Sequence, residues 1–174
     1  MKHLKPYLVL LVASFSLLTC ERDDLCPETT PTTPSLIIDF YNNNAQDSRK
    51  NATDLYVIGE DNDDVLDGYN AETVNQIILP LRTDTDTTTF FLTNNTVLDD
   101  DGNITSGNTD TITITYDATE RVYVSRACGY KTIYKNVVVS IDGGTDGNWI
   151  IFAQPENDNL TIEDETTTHY FFYH

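Results

Sequence analysis

Past an apolar stretch at its start, the chain alternates short β-branched and aromatic runs with clusters of Asn, Asp and Gly. The runs fall at 36–41, 55–59, 76–81, 88–93, 110–116, 121–125, 134–141, 149–153 and 169–173, with a weaker one at 159–163. In the clearest, Ile112, Ile114 and Tyr116 alternate with Thr111, Thr113 and Thr115. That period of two marks a strand with one buried face, and Thr suits the wet face because it is both β-favourable and polar. Asp100-Asp101-Gly102-Asn103 and Asp142-Gly143-Gly144 supply residues that tolerate positive φ in turns. No sustained helical stripe follows the first segment; 71–78 comes nearest, and Thr73 and Val74 weigh against it. Many short strands separated by turn signals predict an all-β fold, an antiparallel β-sandwich of immunoglobulin-like type, with a lipocalin-like β-barrel as the alternative.

The first residues follow another pattern. Lys2 and Lys5 flank the entry to an apolar run at 7–18 (YLVLLVASFSLL) broken only by Ser and Ala. A membrane-spanning helix needs about 20 apolar residues, so this shorter run reads as the heart of a secretory signal peptide at 1–19, removed on export. It closes on Leu17-Leu18-Thr19-Cys20, which resembles the lipobox of bacterial lipoproteins, with Thr19 standing where Gly, Ala or Ser is usual. The resemblance implies that Cys20 receives a diacylglycerol with palmitate-type chains and becomes the first residue of the mature protein. A single acyl chain holds a protein to a membrane only marginally, while two hold it firmly, at ~0.8 kcal/mol per buried methylene. A stable tether to the lipid bilayer through acylated Cys20 is therefore expected. The alternative is an ordinary secretory signal that happens to precede a cysteine.

Cys20-Glu21-Arg22-Asp23-Asp24 follows. It is similar to the acidic signals that send Bacteroidota lipoproteins to the cell surface; read physically, it is also a solvated spacer repelled by an anionic membrane. The expected address is the outer membrane, on its periplasmic face or at the cell surface. Pro27, Pro31 and Pro34 extend the spacer, because proline lacks an amide donor and holds the preceding residue extended. The expected organisation is a signal peptide at 1–19, an acidic Pro/Thr-rich tether at 20–34 and one β-domain at 35–174.

Charge narrows the partners. The 174 residues hold 10 Lys plus Arg against 28 Asp plus Glu, a formal −18; removing 1–19 takes away Lys2 and Lys5 and no acid, leaving 8 against 28, or −20. Nucleic-acid binding depends on cations that neutralise phosphates, so DNA and RNA are set aside. A hydrophobic share of 39% excludes a disordered acidic tail. With Cys20 assigned to lipid, Cys26 and Cys128 remain as an even pair in an oxidising compartment, and a disulfide is expected between them. The competing reading is a reactive thiolate at Cys128, favoured by Arg126 and Lys131 nearby.

Catalytic signals are sparse. Beyond the signal peptide the chain has only His169 and His174, five residues apart in a predicted strand and so on opposite faces. There is no Gly-x-Ser-x-Gly elbow, no phosphate-cradling glycine loop and no Cys-x-x-Cys. Calcium is the one ion suggested, by three acidic loops carrying Asp61 and Asp63, Asp99 and Asp101, and Asp142 and Asp146. None fits the calcium-loop pattern, and Asp, Asn and Gly are also what hairpin turns require. Tyr41, Tyr56, Tyr69, Tyr123, Tyr130, Tyr134 and Trp149 can form either a sugar- or peptide-binding face or sheet core.

Three stretches taken together, 20–34 (CERDDLCPETTPTTP), 79–88 (Leu79-Pro80-Leu81, then Thr83 to Thr88) and 122–132 (VYVSRACGYKT), resemble an uncharacterised lipoprotein family of Bacteroidota, a domain of unknown function. The resemblance implies a small exported lipoprotein and brings no catalytic residue or ligand. The expected function is a non-enzymatic, membrane-anchored β-domain that binds or scaffolds an envelope protein or glycan, without a resident cofactor. A small-ligand-carrying β-barrel or a carboxylate-dependent hydrolase is the alternative.

Overall fold

The structure, a computed structural model, describes residues 25–30 and 32–174. The expected signal peptide and Cys20 lie outside the described residues. Ten strands build two sheets, and no helix occurs among the described residues: β1 Leu36–Asn42, β2 Ala45–Arg49, β3 Ala52–Gly59, β4 Val65–Val74, β5 Gln76–Leu79, β6 Thr87–Leu98, β7 Ile104–Ser125, β8 Gly129–Asp142, β9 Phe152–Pro155 and β10 Tyr170–Tyr173.

The first sheet runs β2-β1-β10-β9, with β5 also paired to β1; the second runs β4-β3-β6-β7-β8. All pairings are antiparallel except β1 with β10, where Ile38 faces Tyr170 and Tyr41 faces Tyr173 in parallel register. Their inner faces share one core. Leu36, Ile38 and Phe40 of β1, Leu79 of β5 and Phe172 of β10 meet Leu55 and Val57 of β3, Phe90 and Leu92 of β6, Ile112 and Ile114 of β7, and Tyr134 and Val137 of β8. The protein is thus a β-sandwich whose interior is filled by side chains.

Period two governs the inner strands. Ile112, Ile114 and Tyr116 are buried, and Thr115 between them is exposed. The predicted runs at 110–116 and 121–125 are one strand, β7, interrupted by register shifts around Asp117 and Glu120. The 149–153 run becomes a strand only from Phe152, because the Trp149 and Ile150 amides donate instead to the Asp110 carboxylate at 3.3 and 2.8 Å. The weak run at 159–163 contributes one bridge, Ile162 to Tyr134. Two strands carried no sequence signal. β2 is exposed throughout and polar from Gln46 to Arg49, and β4 contains Gly68 and Ala71 at positive φ. Both are edges of their sheets, where backbone ladders form without an alternating apolar face.

Three buried tyrosines tie strands to neighbouring backbone. Tyr134 donates to the Leu81 carbonyl at 3.0 Å, Tyr116 to the Arg82 carbonyl at 2.8 Å, and Tyr170 to the Val137 carbonyl at 2.7 Å. Burial raises all three phenols, Tyr134 to about 12. The buried Asp39 carboxylate is satisfied by Arg49, by Gln76 Nε2 at 2.7 Å and by the Thr168 hydroxyl at 3.0 Å.

Candidate functional site

The register of β7 places the site. β6 ends its pairing where Thr87 faces Thr115, so beyond that point β7 continues with β8 alone. Residues 117–133 therefore extend past the end of β6 as a two-stranded arm with Arg126, Ala127 and Cys128 at its tip, while Tyr134 at its base is buried and bridged to Ile162. A two-stranded ribbon is marginal without support, and here the support comes from the tether. Cys26 and Cys128 form a disulfide with Cα atoms 4.8 Å apart across a sequence separation of 102. The expected pairing is present, and the reactive-thiol reading of Cys128 does not hold because its sulfur is bonded. The Ser125 hydroxyl accepts the Cys128 amide at 3.0 Å, and the Thr33 hydroxyl accepts the Thr132 amide at 3.0 Å, so the tether lines the outer edge of β8. Lys131 Nζ donates to the Glu163 carbonyl at 2.9 Å, tying the arm to the segment before β10.

The arm has an unusual surface for this chain. Tyr123 and Tyr130 face each other across the ladder with ring centroids 5.4 Å apart, and each is 58% exposed. The Arg121 guanidinium lies 5.1 Å from the Tyr130 ring centroid, a cation–π geometry. Residues 121–135 contain four cations, Arg121, Arg126, Lys131 and Lys135, and no acid, so half of the 8 cations from Cys20 onward lie here. Lys135 pairs with Glu120; among the described residues Arg121 and Arg126 have no carboxylate partner.

The calcium candidates lie on three separate turns. Asp61 and Asp63 are in the β3–β4 turn, Asp99 and Asp101 in the β6–β7 turn, and Asp142 and Asp146 at the end of β8. Two of these carboxylates serve their own turns: Asp99 accepts the amides of Asn103 and Asp101 at 2.8 and 3.0 Å, which holds it below the usual carboxylate range, and Asp142 accepts the Gly144 amide at 2.9 Å. Among the described residues, no three His, Cys, Asp or Glu side chains are grouped to hold a metal. The tyrosines also disperse: Tyr134 is core, Tyr69 packs against it and accepts the Ile78 amide at 2.8 Å, and only Tyr123 and Tyr130 are prominent outside. A half-open depression of about 230 Å³ is lined by Glu60, Asn62, Arg82, Thr88 and Phe90, and its Thr88 hydroxyl is engaged by the Arg82 amide at 2.9 Å and the Tyr116 hydroxyl at 2.7 Å.

Both histidines are structural. His169 accepts the Ile37 amide on Nδ1 at 3.0 Å and places Nε2 3.0 Å from the Asp164 carbonyl, so the ring is the neutral Nε2–H tautomer. His174 stacks edge-on against Phe40 and Trp149 at 5.6 and 5.3 Å. Burial lowers the pKa of each, His174 to about 4 with the Lys50 charge adding to the effect. A base whose folded pKa lies below its unfolded value of about 6.5 takes up protons first in the unfolded chain. Stability is therefore full above pH 6.5 and is lost as pH falls towards 4, by roughly 3 kcal/mol for His174 alone. Asp110, raised by burial, acts with the opposite sign above its ordinary value. The check is urea unfolding between pH 7 and 4: His174→Phe should flatten the slope, and an unchanged slope would contradict the assignment.

Comparison with curated proteins and with solved structures finds no match. A family model described as a family of unknown function (DUF6452) matches residues 54–174, from within β3 through the arm, Cys128 and β10, and leaves Cys26 and β1 outside the matched span. That span is well over half of the chain, and the chain belongs to the family of unknown function DUF6452.

Proposed function

We propose that this protein is an exported lipoprotein, held to the cell envelope by acylated Cys20, whose β-sandwich acts by binding or scaffolding an envelope component. The observation that carries the reading is the Cys26–Cys128 bond. Disulfides persist outside the cytosol, and with two of the three cysteines joined, the remaining one is Cys20 at the end of the signal-like run. The lipobox-like Leu17-Leu18-Thr19-Cys20 supports acylation, and the acidic segment that follows supports the outer membrane as address. Two structural histidines and the dispersal of the acidic turns favour binding over catalysis.

The test is Cys20→Ala in the full chain. The wild type is expected in the membrane fraction with the mass of a diacylglycerol on its N-terminal peptide, and the variant in the soluble fraction or with its signal uncleaved. A variant that keeps both the processing and the membrane association of the wild type would overturn the reading.

A further inference from the structure

We propose that the tip of the β7–β8 arm docks onto an anionic lipid surface, the headgroups of the bilayer that holds Cys20, with Tyr123 and Tyr130 lying in the interface. The proposal rests on the lipoprotein reading and adds which end of the domain faces the bilayer.

The leash between anchor and arm is short. Cys20 precedes Cys26 by six residues, about 22 Å at full extension. The crosslinked Cα atoms are 4.8 Å apart, so the tip of the arm stays within about 26 Å of the anchor. Without the bond, the first attachment would be the Thr33 hydroxyl on the Thr132 amide, thirteen residues on and up to about 47 Å away. The disulfide therefore keeps the arm as the membrane-proximal end.

Charge favours the same end. Arg121 and Arg126 lie on the arm without carboxylate partners among the described residues, and Lys131 sits beside Asp164 with its ammonium on the Glu163 carbonyl, in a chain of formal −18. Asp99, Asp100 and Asp101 occupy the turn at the opposite end of β7. An anionic surface attracts the first end and repels the second, at on the order of fivefold in binding per cation within a Debye length.

The exposed tyrosine pair lies there too. Tyrosine combines an apolar ring with a polar edge and concentrates at membrane–water interfaces. Tyr123 and Tyr130 are held rigidly against each other beside Arg121. Glu21, Asp23 and Asp24, on the same short leash, are the competing occupant for these cations.

The experiment uses the acylated full chain, its lipid verified by mass, added to preformed vesicles of phosphatidylcholine or of equal parts phosphatidylcholine and phosphatidylglycerol, and iodinated by lactoperoxidase. Labelling at Tyr123 and Tyr130 is read by peptide mass spectrometry. Expected is protection in the anionic vesicles only, lost at 1 M salt, where the Debye length falls to about 3 Å. Arg121→Glu with Arg126→Glu should abolish the protection while the chain still floats with the vesicles. Equal labelling in both vesicles, with the chain still floating, overturns docking and leaves the anchor standing. Protection already in detergent overturns docking in favour of the tether's own acids, and protection confined to native envelopes overturns it in favour of a protein partner. A chain that carries no acyl mass and does not float defeats both readings.

Discussion

Reduction of the Cys26–Cys128 bond is expected to lower the unfolding free energy by about 3 kcal/mol, within a typical range of 2–4 and a chain-entropy ceiling near 4.7 for a loop of this length. For a domain of this size that amounts to roughly 6–12 °C in Tm. The loss should be local before it is global. Between Glu120 and Ile133 the two strands of the arm pair with no other strand, and the sandwich core begins at Tyr134, which Ile162 bridges. Limited proteolysis under reducing conditions should therefore cut first in the arm, near Arg121, Arg126 or Lys131. Denaturant unfolding with and without reductant, and with Cys26→Ser plus Cys128→Ser, provides the measurement. Coincident curves and an uncut arm would show that the crosslink contributes nothing.

The second large effect is expected at Phe172. Its ring is fully buried in β10, which lies between β1 and β9, and it meets Phe40 edge-on with centroids 6.1 Å apart. Phe172→Ala removes the transfer energy of the ring and leaves a cavity that strands on either side hold open, at a cost of about 3–5 kcal/mol. Set against a typical total of 5–15 kcal/mol, this change brings the domain close to unfolding. Phe171, one residue earlier, points to the other face and is only half-buried against Tyr41. Phe171→Ala should cost no more than about 1–2 kcal/mol. Urea melts of the two variants compare them directly, and equal losses would refute the inward orientation of Phe172.

Residue pattern revealed this protein unevenly, for physical reasons. The buried strands were legible where one face is apolar, as at Ile112, Ile114 and Tyr116, because alternation follows directly from burial. β2 and β4 were not, since an edge strand of Gln, Asp, Ser, Gly and Asn draws its stability from backbone hydrogen bonds common to all residues. Cys26 and Cys128 could be paired by count once Cys20 was set apart. Tyr130 and Tyr134 look alike in sequence, four residues apart, yet one is more than half exposed and the other fully buried. The difference lies in what covers them: Ile162 bridges Tyr134, Tyr116 packs edge-on against it and the Tyr134 hydroxyl reaches the Leu81 carbonyl, contacts distant in sequence that no composition reveals. The arm's excess of cations was equally visible in the sequence, and acquires meaning only because the arm projects.

The parallel pairing of β1 with β10 bears on when this domain can fold. The Ile37 amide bonds His169 across 132 residues, and the interior strand that follows His169 comes after the other nine in chain order. Until β10 is present, β9 has no paired neighbour and β1 keeps one edge open, so chains that lack it cannot complete the first sheet. Closure of the first sheet therefore waits on contacts separated by nearly the whole described domain, which makes folding slower than in a sandwich built from local hairpins alone.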